Sequence, residues 1–243
     1  MEVLNDIISK QKRGEKQLAV LLDPEKLSLQ SLPRTADAIN EGDIRLVLVG
    51  GSGYQHNIDE FIVRLRQLVA AKVVLFPGNL MQFSKEADAL LFLSLMNSND
   101  SDWLVGQHIR IAREIKSSGI EVIPMGYILV DGGRESAVER VTHALPLREE
   151  NEIVAVAVAA ELLGKCLVYL EAGSGALQPV KESVIRSVRE SVAVPLIVGG
   201  GIHSVEEMNA AFRAGADIVV IGNYFEQHPE EIVRFGKSIR CQP

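Results

Sequence analysis

Two carboxylates stand where apolar segments give way to loops: Asp23, closing QLAVLLD (17–23), and Glu171, within KCLVYLEAG (165–173). Asp23 precedes Pro24, which has no N–H to give to a sheet. A lone carboxylate at such a rim can hold Mg²⁺, an ion usually bound through one or two protein carboxylates plus substrate phosphate oxygens. Ser52, in VGGSGY (49–54), stands at the end of the neighbouring segment and can offer a hydroxyl to the metal or to a phosphate oxygen. The structural alternative for Asp23 is a helix N-cap, but Ser28 is better placed for the helix that follows. Glu171 alternates with Tyr169 and Gly173, so in a strand all three share one face. A single carboxylate beside a substrate is a natural general base; a structural ion pair is the alternative.

Glycine-rich ends accompany these carboxylates: Gly173-Ser174-Gly175, Gly199-Gly200-Gly201 and Gly222-Asn223. Without side chains the backbone can bring its N–H groups close to an anion. One glycine triplet is weak support for a phosphate site, but three such ends together are strong; glycines that only make tight turns are the alternative. Other chemistries lack their residues. Lys72 and Lys165 begin apolar runs, far from where a Schiff base is needed. His56, His108, His143, His203 and His228 have no zinc-ligand spacing, although His203 adjoins a glycine loop. Neither a GxSxG elbow nor a P-loop occurs.

The elements that must position these residues follow from the pattern of apolarity. Runs at 17–23, 44–50, 72–78, 89–97, 121–130, 165–173, 195–201 and 217–223 are apolar almost throughout. Strands covered on both faces require this, which predicts a parallel sheet. Amphipathic segments at 57–69, 103–118, 180–192 and 204–216 read as intervening helices. Eight such units predict a (β/α)8 TIM barrel over residues 1–243 as a single domain, with a short N-terminal helix at about 2–13. Functional residues of a barrel sit at the C-terminal ends of its strands, where Asp23, Glu171 and the glycines fall. Between the third and fourth runs only about ten residues are left, near the lower limit for a crossover, so either the third outer helix is missing or replaced by a loop, or the crossover is merely short. The segment 151–164 is apolar on nearly every face, as expected of a helix that also meets a second subunit, the alternative being cover by the chain's own loops.

The formal charge of −7 and the absence of any basic block exclude a nucleic-acid groove. No apolar run approaches the roughly 20 residues that span a bilayer. Cys166 and Cys241 are too few and too far apart for a disulfide framework. A cytoplasmic protein is expected.

The pieces LLDPEK (21–26), VGGSGY (49–54), LFPGN (75–79), YLEAGSGA (169–176), VGGGI (198–202) and GNYFE (222–226) together resemble the geranylgeranylglyceryl phosphate synthase family. The similarity includes its PcrB-like bacterial branch, and LFLSLMNSND (91–100) with WLVGQH resembles archaeal and Bacteroidetes members. The resemblance implies an Mg²⁺-dependent transfer of a prenyl group, usually geranylgeranyl, from its diphosphate to the 3-hydroxyl of sn-glycerol 1-phosphate. It implies Asp23 and Ser52 at the metal, and Glu171 as base assisted by Tyr169. Acceptor binding would fall to Tyr169, Leu170, Glu171, Ala172, Gly173, Ser174 and Gly175, with Gly200, Gly201, Gly222 and Asn223. It also implies a missing third helix and a prenyl chain leaving through that gap. Trp103, the only tryptophan, opens the next helix and is either the end stop of this groove or an anchor for its helix. A homo-oligomer, dimer or hexamer, is expected. The competing readings are another phosphate-binding barrel, such as an FMN-dependent oxidoreductase or sugar-phosphate isomerase, and a non-catalytic phospholigand-binding barrel.

Overall fold

A computed structural model describes residues 1–51, 58–79 and 82–239 of the chain. Its strands are β1 (Gln17–Leu22), β2 (Leu46–Val49), β3 (Lys72–Leu75), β4 (Ala89–Leu95), β5 (Glu121–Leu129), β6 (Leu167–Glu171), β7 (Leu196–Gly199) and β8 (Ile218–Ile221). They pair in chain order, all parallel, and β1 returns to β8 to close the barrel. The helices are α1 (Val3–Lys12), α2 (Leu32–Glu41), α3 (Asp59–Leu68), α4 (Gln107–Ser118), α5 (Ala137–Thr142), α6 (Glu150–Leu162), α7 (Glu182–Ser191), α8 (Val205–Ala214), α9 (Asn223–Gln227) and α10 (Glu231–Ile239).

Strand alternation divides the buried apolar residues into two layers. Val20, Val47, Ile128, Leu170 and Val198 face outward and pack with helix residues such as Ile39, Leu65, Ile153 and Phe212. Ala19, Leu48, Met125, Tyr127, Tyr169 and Val220 fill the barrel itself. Both layers exclude water, which explains why the strands read as continuous apolar runs rather than alternating ones.

The helix after β1 departs from expectation in detail. It begins at Leu32, and Ser31 rather than Ser28 occupies the capping position. Pro33 sits in its first turn, where a missing N–H costs nothing, and this sets the start.

No α-helix occupies the third crossover among the described residues between β3 and β4. The strands meet only through Val74↔Ala89 and Leu75↔Leu90. The buried Gln82 holds this loop: its Oε1 accepts from Gly78 N at 2.8 Å, and its amide donates to Gly51 O at the end of β2. The gap in the outer ring is a small apolar recess of about 60 Å³, lined by Phe83, Leu91, Leu93, Trp103 and Ile111 among others.

At the opposite end of the barrel α1 inserts Val3, Leu4 and Ile7 beneath the inner layer. Glu121, the first residue of β5, accepts from the N–H groups of Glu2, Val3 and Leu4 at 2.6, 3.0 and 2.9 Å. Partial burial opposes its ionisation, but these three donors outweigh it and hold the carboxyl below the usual glutamate range. A depressed carboxylate stabilises the fold above its unfolded-state pKa and loses that contribution as pH falls through the folded value. Glu121→Ala is expected to cost about 1–2 kcal/mol at neutral pH, as loss of a helix cap does. Calorimetry should register a melting temperature lower by roughly 2–8 °C, and an unchanged value would remove Glu121 from the account of the barrel floor.

The expected all-apolar helix is α6. Ile153, Ala157 and Ala160 face the barrel, while Ala155, Ala159 and Leu162 are exposed. Among the described residues no helix is long and apolar enough to cross a membrane.

Candidate active site

A cavity of about 420 Å³ opens over the C-terminal ends of the strands. Three rings form part of its wall: Phe76 after β3, Tyr127 on β5 and Tyr169 on β6. Tyr127 and Tyr169 are register partners, so their rings meet at 5.3 Å between centroids, and Phe76 lies 5.5 Å from Tyr169.

Glu171 ends β6 with only 7% of its surface exposed. Its Oε1 accepts from Gly173 N at 2.7 Å, and the Tyr169 hydroxyl donates to the same carboxylate. Burial raises its pKa above the usual glutamate range; the bonds from Tyr169 and Gly173 offset only part of that shift. Among the described residues no cation pairs with it, so the ion-pair alternative is not realised. Burial, then the nearby Glu171 charge, also pushes the Tyr169 and Tyr127 phenols well above their usual value, so both stay protonated. The result is a carboxylate with enhanced proton affinity, held in place by a neutral phenol.

Gly200 explains how the carboxylate fits. Its φ is +83°, and a Cβ there would collide with Glu171 Oε1 and stand 2.7 Å from Gly173 N. The β7 glycine loop, which lines the cavity through Gly200 and Gly201, therefore lets the end of β6 lie against it. Gly51 does the same for Asp23, because a Cβ would lie 2.6 Å from the carboxylate atoms.

Asp23 is 8% exposed and lines the same cavity. Its Oδ1 accepts from Glu25 N at 3.0 Å, and its Oδ2 lies 3.7 Å from Lys26 Nζ. Lys26 donates to Glu226 at 3.0 Å and to Asn223 Oδ1 at 3.2 Å. Asn223 Nδ2 in turn donates to Ser174 Oγ at 2.8 Å. Burial raises the pKa of Glu226, against the pull of Lys26.

The cavity thus gathers Asp23, Trp103, Tyr169, Glu171, Gly173, Ser174, Gly175, Gly200, Gly201, Gly222 and Asn223. Leu170 and Ala172 do not line it. Strand alternation turns their side chains to the outer layer, and Ala172 N is used in the ladder to Gly199 O. Ser52 lies outside the described residues. His203 lines the cavity, beside Tyr224 at 5.9 Å between rings.

Sequence reasoning overlooked Phe76, Tyr127, Lys26 and Glu226 as individuals, although LFPGN, LLDPEK and GNYFE contain three of them. Period-two alternation along β5 was the signal for Tyr127. The short helix α5 was also missed. It supplies Val138, Arg140 and Val141 to the cavity wall, and a Ser136–Glu139 capping box starts it.

The PcrB family model matches residues 10–238 of the chain. A geranylgeranylglyceryl phosphate synthase of Flavobacterium johnsoniae is 43% identical over 90% of this chain and 92% of its own length. One from the archaeon Korarchaeum cryptofilum is 41% identical over 86% and 87%. Among solved structures, the (S)-3-O-geranylgeranylglyceryl phosphate synthase of Thermoplasma acidophilum, in complex with its substrate sn-glycerol-1-phosphate, superposes with a TM-score of 0.93. It is 35% identical, with 98% of each chain covered.

Proposed function

Because the chain belongs to the PcrB family, we propose that it joins the 3-hydroxyl of sn-glycerol 1-phosphate to geranylgeranyl diphosphate, yielding geranylgeranylglyceryl phosphate and diphosphate. The observation that carries this reading is the buried Glu171 carboxylate, placed between the glycine loops of β6 and β7 and a wall of aromatic rings.

In the reaction the C1–O bond of the allylic diphosphate breaks and its electron pair leaves with the diphosphate. The acceptor's 3-oxygen forms the new C–O bond at C1, and its proton passes to Glu171. Tyr169 holds the carboxylate in place and keeps its own proton. The π faces of Phe76, Tyr127 and Tyr169 favour the delocalised positive charge that develops on the allyl group. The glycine loops hold the acceptor phosphate, with Ser174 and Asn223 as side-chain donors.

The Asp23 carboxylate suits Mg²⁺: it is at the rim, faces the cavity, and the bare Gly51 leaves room around it. With Ser52 it would hold the ion, which when bound supplies positive charge against the departing diphosphate. Among the described residues no cluster of three metal-ligating side chains occurs, so substrate oxygens and water would complete the shell, as Mg²⁺ commonly requires. The same reading includes a cytoplasmic enzyme that self-associates as a dimer or hexamer, with the exposed face of α6 as a contact.

Release of diphosphate tests the proposal. It should require sn-glycerol 1-phosphate and Mg²⁺ together with the prenyl donor. Release without the acceptor, or a flavin chromophore carried by the purified protein, would favour the readings set aside.

The route of the prenyl chain gives a further expectation. Trp103 borders both the main cavity and the apolar recess left by the missing helix, together with Pro77, Gly78 and Leu93. Trp103→Ala should raise activity on a C35 diphosphate relative to C20 by roughly tenfold, the scale on which a steric stop discriminates. An unchanged preference in a folded variant makes Trp103 an anchor for the helical turn Asp102–Gly106 that leads into α4.

A further inference from the structure

The chain of bonds from Lys26 to Ser174 has a direction. An ammonium group only donates, so the oxygen of the Asn223 amide must face Lys26. That orientation turns Nδ2 toward Ser174, where it donates to Oγ at 2.8 Å. With one acceptor position so used, the serine hydroxyl can give its own proton to an anion in the cavity that Ser174 lines. An amide alone is nearly indifferent to which way round it sits; the cation removes that freedom. Glu226, at 3.0 Å from Nζ, keeps Lys26 in this place. Three groups from the ends of β1, β8 and β6, namely Lys26, Asn223 and Ser174, are thereby polarised as one array of donors, with Glu226 as the acceptor that anchors it.

We propose that Lys26 is a positioning residue for the acceptor phosphate, acting through Asn223 and Ser174 rather than touching the substrate. The inference rests on the reading of the glycine loops as the acceptor's phosphate site. It adds that a residue of the Asp23 loop decides the polarity of that site. Lys26 also lies 3.7 Å from Asp23 Oδ2, so a role at the metal and diphosphate is the competing possibility, and the two differ in which substrate they affect.

The test is a double-mutant cycle on the full-length protein with Lys26→Met, Asn223→Ala and the pair. Lys26→Met should raise KM for sn-glycerol 1-phosphate roughly tenfold, the scale of a lost charge-assisted bond. The KM for the prenyl diphosphate should stay within about twofold. In the Asn223→Ala background the same substitution should change little, because its route is already cut. Lys26→Arg, still a donor-only cation, should restore most of the affinity. Inorganic phosphate, titrated calorimetrically into the same proteins, should follow the same pattern; its binding needs no prenyl chemistry, so it tests the array even if the proposed reaction fails. Additive effects of the two substitutions, or a loss confined to the prenyl diphosphate, would overturn the proposal. Should Lys26→Met fail to fold, Lys26→Gln in the same cycle takes its place, with the same two outcomes.

Discussion

Glu171→Gln is expected to lower turnover by roughly 10²–10⁴-fold, the usual contribution of a general base, while the barrel stays intact. The amide matches the carboxylate in shape and can still accept from Gly173 N and the Tyr169 hydroxyl, but it cannot take the proton of the acceptor. The pH dependence has a definite sign. Burial raises the Glu171 pKa, so the active, ionised form is lost on acidification earlier than for an ordinary glutamate. The acid limb of the rate profile should therefore lie above the usual glutamate value of about 4.3. In Glu171→Gln the residual rate should lack that limb. Stability should move in the opposite sense. A carboxyl whose folded pKa is raised binds more protons in the folded state, so its contribution falls as pH rises from the unfolded value through the folded one. Above that window the glutamine variant should be at least as stable as the parent. Wild-type turnover in a folded Glu171→Gln protein would remove this residue from the chemistry.

Asp23→Asn should cost roughly 10²–10³-fold in turnover, comparable to removing one group that stabilises charge in the transition state. The amide keeps a carbonyl oxygen for the Glu25 N–H but removes the negative charge that would hold Mg²⁺. Added Mg²⁺ should no longer accelerate the reaction to the parent rate. Calorimetric affinity for sn-glycerol 1-phosphate should change by less than about threefold, since Lys26 remains held by Glu226 and Asn223 and surface-type couplings are small. Equal loss of both ligands would show that the two anions do not occupy separate parts of the cavity.

The barrel was legible because every strand is buried on both faces, and the apolar runs that result are hard to mistake. Helices with a strong stripe, such as α7 and α8, were equally plain. Helix α5 was not, because six residues are too few to show a period, and its Ser136–Glu139 box is visible only once a helix is suspected. Asp23 and Glu171 stood out as charges breaking apolar runs, and the glycines as residues without side chains at strand ends. Leu170 and Ala172 came with a motif as a block, although alternation alone would have turned their side chains outward. The aromatic wall was harder to see. Phe76, Tyr127 and Tyr169 lie far apart in the chain, and only strand register brings the two tyrosines side by side. Lys26 and Glu226 were hidden for a similar reason. Charged residues in loops look solvated until closure of β1 on β8 brings them within 3.0 Å.

The central claim is that this cavity builds a prenyl ether on one particular glycerol phosphate. Mass spectrometry of the product from geranylgeranyl diphosphate, offered an equal mixture of isotopically distinguished sn-glycerol 1-phosphate and sn-glycerol 3-phosphate, tests it most directly. The account predicts a geranylgeranyl ether carrying the label of the 1-phosphate, formed with release of diphosphate and absent with Glu171→Gln. An unlabelled prenyl alcohol, an ether drawn equally from both isomers, or no product from a folded protein supplied with Mg²⁺ would contradict it.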